Sequence, residues 1–99
     1  MNKETMESII MGSQSCKMII NVFTWKGGEG VNCCLAIRQA EIVRQDYGIG
    51  LEIRDKLNPN ALIKIGYSKL LSVKVMELED FIITYIYNTL HVEVAIKKK

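Results

Sequence analysis

The segment from Trp25 to Gly30 is the part of the sequence whose residue types best fit ligand chemistry. It reads Trp-Lys-Gly-Gly-Glu-Gly. Glycines let backbone N–H groups approach an anion, the lysine adds positive charge, and the indole offers a stacking surface. The segment is neither a P-loop nor a dinucleotide fingerprint, and its glutamate repels anions. Two interpretations stay open, a plain hairpin turn and a site for a small anionic ligand formed by Trp25, Lys26, Gly27, Gly28 and Gly30.

Few residues are available for catalysis or metal binding. The chain has one histidine, His91, and three cysteines, Cys16, Cys33 and Cys34. His91 lies in an alternating segment where we expect it to face solvent, and no pattern supplies a nucleophile or an orienting group. The cysteines have no CxxC spacing and are expected to be buried thiols in a reducing compartment. The sequence therefore predicts no catalytic residue, no metal site and no cofactor.

The positive charge is concentrated at the C-terminal end. The chain has 13 basic and 11 acidic residues, a net charge of +2, and three of the lysines are residues 97–99. A protein that grips duplex DNA usually spreads its basic residues over a docking face. Nucleic acid is thus the less favoured partner, and the tail is either a solvated terminus or a weak polyanion contact. No signal peptide or membrane span is evident, which predicts a cytoplasmic protein without a membrane partner.

Length and composition predict one small domain. The chain has 99 residues, of which 48% are hydrophobic, enough for a single core. We expect a flexible N-terminus at residues 1–7, a globular domain at 8–96 and a basic tail at 97–99.

Strand signals dominate the expected domain. Alternating apolar residues and β-branched or aromatic runs mark the strands, glycines mark a hairpin at 27–30, and Asn58-Pro59-Asn60 predicts a turn. In chain order, the predicted strands occupy residues 9–11, 16–25, 31–37, 51–57, 61–65, 71–75 and 90–96.

Two segments are ambiguous between helix and strand. Residues 38–46 contain good helix formers, and we favour extended structure or a short helical turn there. In residues 77–88 an amphipathic helix competes with a strand, and the β-branched and aromatic run from Phe81 to Tyr87 favours the strand. The predicted fold is mainly β, with α+β as the alternative. It is a small barrel or strongly curved antiparallel sheet of about seven strands with at most one or two short helices.

The strand predicted at 81–87 points to a binding role. Both of its faces are largely apolar, so it is either central in the fold or meets a partner, with Phe81, Tyr85 and Tyr87 as candidate interface residues. We consider three hypotheses. The first is a non-enzymatic binding protein, expected to be a homo-oligomer, that holds a protein partner or small ligand stoichiometrically, as accessory proteins of phages and mobile elements often do. The second is a nucleotide or single-stranded nucleic-acid binder that uses the Trp25–Gly30 loop and the lysine tail. The third is a small enzyme that uses His91 or a cysteine.

Overall fold

The structure, a computed structural model, describes residues 3–26, 29–68, 70–87 and 91–98. One α-helix and eight strands make up most of this part of the chain. The elements in order are α1 (Lys3–Met11), β1 (Met18–Lys26), β2 (Glu29–Ile37), β3 (Ala40–Arg44), a 3-10 turn (Asp46–Gly48), β4 (Gly50–Asp55), β5 (Asn58–Gly66), β6 (Ser72–Glu77), β7 (Phe81–Tyr87) and β8 (His91–Lys97).

The strands form two antiparallel sheets. The larger has five strands in the order β2-β1-β8-β7-β6, and the smaller has three in the order β3-β4-β5. The mainly β prediction is confirmed, but among the described residues there are eight strands rather than about seven, and they form no closed barrel. The two sheets and the helix enclose one core, because buried residues of all three belong to one cluster, including Met6, Ile20, Ile53, Ile86 and Val94.

The N-terminal segment differs from its prediction. The strand predicted at residues 9–11 is wrong, because α1 spans Lys3–Met11. The flexibility predicted for residues 1–7 stays a prediction. Met6 and Ile10 are both fully buried. Their spacing of four residues places them on one helix face. Burial of that face against the sheets outweighs the local β preference of Ile9-Ile10-Met11.

A polar contact also fastens α1 to the body. The Tyr67 hydroxyl donates a hydrogen bond of 2.7 Å to Glu7 Oε2, and Arg44 Nε donates to Glu7 Oε1. Burial raises the pKa of Glu7, but the hydrogen bonds from Tyr67 and Arg44 and the charges of Arg44 and Lys3 lower it by more. The net result is a pKa of Glu7 below its ordinary value. Glu7 therefore holds α1 to the body as a charged carboxylate.

The turn predicted at Asn58-Pro59-Asn60 is also wrong. The chain turns at residues 56–57, and Asn58 already begins β5. The Asp55 carboxylate accepts a hydrogen bond of 3.0 Å from the Leu57 N–H. This bond places the turn two residues before the predicted position. Pro59 is tolerated in β5 because this is an edge strand of its sheet.

The remaining strand predictions agree with the structure. The ambiguous residues 38–46 are mostly extended, with β3 followed by the start of the 3-10 turn. Phe81–Tyr87 is a strand, so the helical alternative for this segment is wrong. The hairpin around the glycines is confirmed by the pairing of β1 with β2, in which Trp25 lies opposite Gly30 and Lys26 opposite Glu29.

Candidate binding surface

The candidate site is the face of the five-stranded sheet that points away from the core, which we call the outer face. On β7, Thr84 and Ile86 point inward and are fully buried. The alternate residues, Phe81, Ile83, Tyr85 and Tyr87, point outward and are half-buried. An antiparallel sheet with one solvated face normally carries polar side chains there. β7 breaks this rule, because its outward side chains are all apolar or aromatic.

The apolar character of the outer face extends across every strand. The strand register aligns one row of apolar residues from edge to edge of the sheet. Within it, Ile19 is 45% exposed and Met76 is 39% exposed. Among the described residues, no outward side chain of this sheet belongs to the buried core. We call these residues the apolar row: Ala36, Ile19, Ala95, Ile83 and Met76.

One end of the outer face carries a cluster of rings around His91, which we call the aromatic region. The His91 ring stacks on Tyr87 with centroids 4.5 Å apart, and it lies 5.3 Å from Phe23 and 6.1 Å from Tyr85. The register explains the cluster, because Tyr87 and Phe23 both lie directly opposite His91. The side chain of His91 is only 19% exposed. His91 therefore lies on the solvent side of the sheet, as expected, but neighbouring rings cover most of its side chain.

The opposite end of the outer face contains a groove of about 310 Å³, which we call the cationic groove. Ile19, Ala36, Ala95 and Phe81 provide its apolar surface. Three basic residues border it, at the ends of β1, β2 and β8: Lys17, Arg38 and Lys97. None of its lining residues is acidic.

The chain matches no protein-family model, no curated protein and no solved structure. Any functional conclusion therefore depends on the geometry of the outer face. In the described part of the chain, no helix is long and apolar enough to cross a membrane.

Asp55 is the polar group that holds one cation of the groove in place. Its buried carboxylate accepts backbone hydrogen bonds from Arg38 and Gln39, at 3.1 and 3.2 Å, and Arg38 Nε lies 3.7 Å from Asp55 Oδ2. Burial raises the pKa of Asp55, but the N–H groups of Leu57, Arg38 and Gln39 and the charge of Arg38 lower it below its ordinary value. This carboxylate thus fixes the chain where it passes from the five-stranded sheet to the smaller one.

The predicted interface residues separate into two places. Tyr85 and Tyr87 lie together in the aromatic region, while Phe81 lies at the far end of β7 in the cationic groove. Trp25 and Gly30, at the two ends of the predicted ligand loop, lie opposite each other beyond Phe23, on the far side of the aromatic region from the groove. Gly27 and Gly28 are outside the described residues, so a ligand role for Trp25, Lys26 and Gly30 with them stays a prediction.

The lysines at the C-terminus are more ordered than expected. Lys97 is the last residue of β8, and its ammonium lies 5.0 Å from the centroid of the Phe81 ring. Lys98 donates a 3.0 Å hydrogen bond to Glu77 and its backbone N–H bonds to Asp80. Two of the three lysines of the predicted basic tail at 97–99 therefore make contacts within the fold, and the tail itself stays a prediction.

The thiols do not meet the histidine. Cys16 is buried, but Cys33 and Cys34 are exposed on the edge strand β2, so the expectation of buried thiols is wrong for this pair. β1 lies between β2 and β8, which separates these cysteines from His91 by two strand spacings, roughly 10 Å. Across the described ranges, no cluster of three or more metal-ligating side chains is present.

Sequence reasoning missed two of the three cations of the groove. Lys17 and Arg38 are far apart in the chain and belong to no motif. They become neighbours only because Met18 pairs with Ile37, and Lys97 joins them because its N–H donates to the Lys17 carbonyl at 2.9 Å. The available signal was a basic residue near the outer end of each strand of the predicted hairpin, but it indicates a site only once the third strand is placed.

Proposed function

We propose that this protein is a non-enzymatic, oligomeric binding protein that acts by stoichiometric contact through its outer face. The observation that carries the proposal is the apolar row, which crosses five strands without a covering layer among the described residues. Exposed apolar patches of this extent on small domains mark interaction sites. The aromatic region adds tyrosines, which are enriched at protein interfaces.

A second copy of the chain is the occupant that the outer face fits. Five strands at about 4.8 Å spacing and seven residues at about 3.3 Å rise give a face of roughly 24 by 23 Å, or about 550 Å². Two such faces bury about 1,100 Å² in total, close to the ~1,000 Å² that a specific interface needs. Sheets commonly pack face to face in this way.

The outer face also carries one cation and one anion beside the apolar row. Tyr85 lies opposite both Lys74 on β6 and Glu93 on β8, so the two charges flank the same ring. Charges of this kind influence the register of a dimer more than its affinity, which comes from the apolar contacts.

Sedimentation equilibrium of two matched variants tests the proposal. Ile83→Glu places a charge in the middle of the apolar row, and Leu62→Glu makes the same change on β5, outside the outer face. We expect wild type to dimerise with a dissociation constant in the micromolar range, as a small interface predicts. Ile83→Glu should weaken association at least about 100-fold, since a buried unpaired charge costs several kcal/mol. Leu62→Glu should dimerise like wild type.

Two results would contradict the proposal. One is a wild type that stays monomeric up to about millimolar concentration, where even weak interfaces of about 4 kcal/mol are populated. The other is a dimer that Leu62→Glu disrupts as strongly as Ile83→Glu, because association would then use another surface. Circular dichroism of both variants checks that each remains folded.

A further inference from the structure

We infer that the cationic groove is a binding site for a small carboxylate with an aliphatic chain. The inference goes beyond the proposed dimer, because it assigns a small-molecule ligand to one end of the outer face. Ile19, Ala36 and Ala95 belong to both the groove and the apolar row, so the ligand and a second subunit compete for these residues. The chain of the ligand would lie on the apolar surface and its carboxylate would face the basic border.

Small side chains make room in the groove. Ala36 and Ala95 lie directly opposite Ile19 on the two neighbouring strands, so there is space on either side of the Ile19 side chain. The Phe81 ring also lines the groove, next to Lys97. Alanine is the smallest apolar side chain, and two of them beside Ile19 and Phe81 leave room for another aliphatic group.

The border of the groove calls for an anion. In the described part of the chain, neither Lys17 nor Lys97 has an ion-pair partner, because every ion pair there is made by another basic residue. Arg38 is partly neutralised by Asp55 at 3.7 Å. The border thus presents two uncompensated charges and one compensated charge, and the hydrogen bond from the Lys97 N–H to the Lys17 carbonyl holds the two uncompensated lysines side by side.

The charge and volume of the groove set limits on the ligand. Two exposed ammonium groups suit a single carboxylate better than a polyphosphate, which needs bidentate donors or a backbone cradle. The volume of about 310 Å³ is at the lower end of the range of small-molecule sites, about 300–1,000 Å³. Both limits favour a medium-chain carboxylate such as octanoate.

An NMR titration with octanoate tests the inference, with octylammonium as the matched probe of opposite charge. We expect saturable shifts of the Ile19, Ala36 and Ala95 methyl signals with octanoate. Octylammonium should bind at least about tenfold more weakly, which corresponds to about 1.4 kcal/mol. Binding of both probes with equal affinity, or no saturable shift up to the solubility limit of octanoate, would overturn the inference.

Three variants locate the site. Lys17→Glu reverses a charge at the border, Ala36→Leu fills the space beside Ile19, and Lys64→Glu is the control, a lysine on β5 in the other sheet. The first two should each lower octanoate affinity at least about fivefold, or about 1 kcal/mol, and the control should not. An unchanged affinity in both groove variants, or an equal loss in the control, refutes the site.

The same titration in Met76→Glu separates this inference from the proposed dimer. Met76 belongs to the apolar row but lies on the edge strand β6, outside the groove lining. The variant is expected to be a monomer with an intact groove, so octanoate should bind it at least as tightly as it binds wild type. If wild type proves monomeric and binds octanoate at these methyl groups, only the dimer proposal fails. If the dimer forms and octanoate binds neither wild type nor the monomeric variant, only the groove inference fails.

Discussion

The two sheets differ in the side chains that they present to solvent, although each sheet buries its other face in the same core. On the three-stranded sheet, Arg54 pairs with Glu41 at 3.4 Å and with Glu52 at 2.6 Å, and Lys64 lies 4.0 Å from Glu52. On the five-stranded sheet the corresponding positions hold the apolar row and the aromatic region. A surface of mutually paired charges is well hydrated, whereas the apolar surface gains free energy when it is covered.

This difference shows which surface is available for binding. The charges of the smaller sheet satisfy one another within the chain, so they leave little for a partner to recognise. The larger sheet carries apolar groups without a covering layer and, at one end, two lysines without an ion pair in the described residues. The proposed binding therefore uses the five-stranded sheet and not the three-stranded one.

The largest expected change in stability separates the two faces of β7. Ile86→Ala on the inner face should lower the free energy of unfolding by about 2–5 kcal/mol, because Ile86 is fully buried. Ile83→Ala on the outer face should lower it by less than about 1.5 kcal/mol, because this side chain is only partly buried. Association should respond in the opposite order. Urea unfolding at low protein concentration, followed by sedimentation, measures both quantities, and equal losses of stability would contradict the assignment of the faces.

The next expected effect concerns Asp55, which fixes the passage between the two sheets. Its pKa is lowered in the folded protein, so it stabilises the fold above the unfolded pKa, and this contribution is lost as the pH falls through the folded value. We expect Asp55→Asn to lower the urea midpoint at pH 7, with a smaller gap from wild type at about pH 3, below the ordinary Asp value near 3.9. A gap that is equal at both pH values would refute this role.

Glu7 also contributes to the loss of stability in acid, so its effect must be separated from that of Asp55. Its pKa is also lowered, by contacts with Tyr67, Arg44 and Lys3, so wild type loses stability from both carboxylates in acid. Glu7→Gln therefore accompanies Asp55→Asn, and the double variant shows whether the two losses are independent.

The smallest expected effect concerns the ion pairs on the solvent-exposed side of the three-stranded sheet. Arg54→Ala removes the ion pairs with Glu41 and Glu52, yet all three side chains are partly exposed. Such pairs contribute about 0–1 kcal/mol. We expect a loss of unfolding free energy below about 1 kcal/mol that shrinks in 1 M salt, with dimerisation unchanged. A loss of several kcal/mol would show that the charged face is structurally as important as the core.

Local pattern was enough to predict most of the strands. Alternating apolar residues predicted β4, β5 and β8, and turn residues predicted the glycine hairpin. Both signals act over only a few positions. The sequence also showed that both faces of the strand that became β7 are apolar. The sequence could not reveal which of those faces the core covers.

Features that depend on distant residues were missed. The helix α1 gains its stability from burial of Met6 and Ile10 against other elements, so local β preference misled the prediction at residues 9–11. The turn at residues 56–57 is set by a carboxylate that also binds the backbone of Arg38, 17 positions away. The cationic groove needs the register of β1 with both β2 and β8, which local signals do not contain.

Isotope-filtered NOE spectroscopy tests the central claim most directly. In a mixture of labelled and unlabelled protein, only contacts between subunits produce signals. We predict intermolecular NOEs from the methyl groups of Ile83 and Met76 and the rings of Tyr85 and Tyr87, and none from Val43 or Leu62 on the smaller sheet. Intermolecular NOEs from Val43 or Leu62, or none from the outer face at concentrations where wild type sediments as a dimer, would contradict the account.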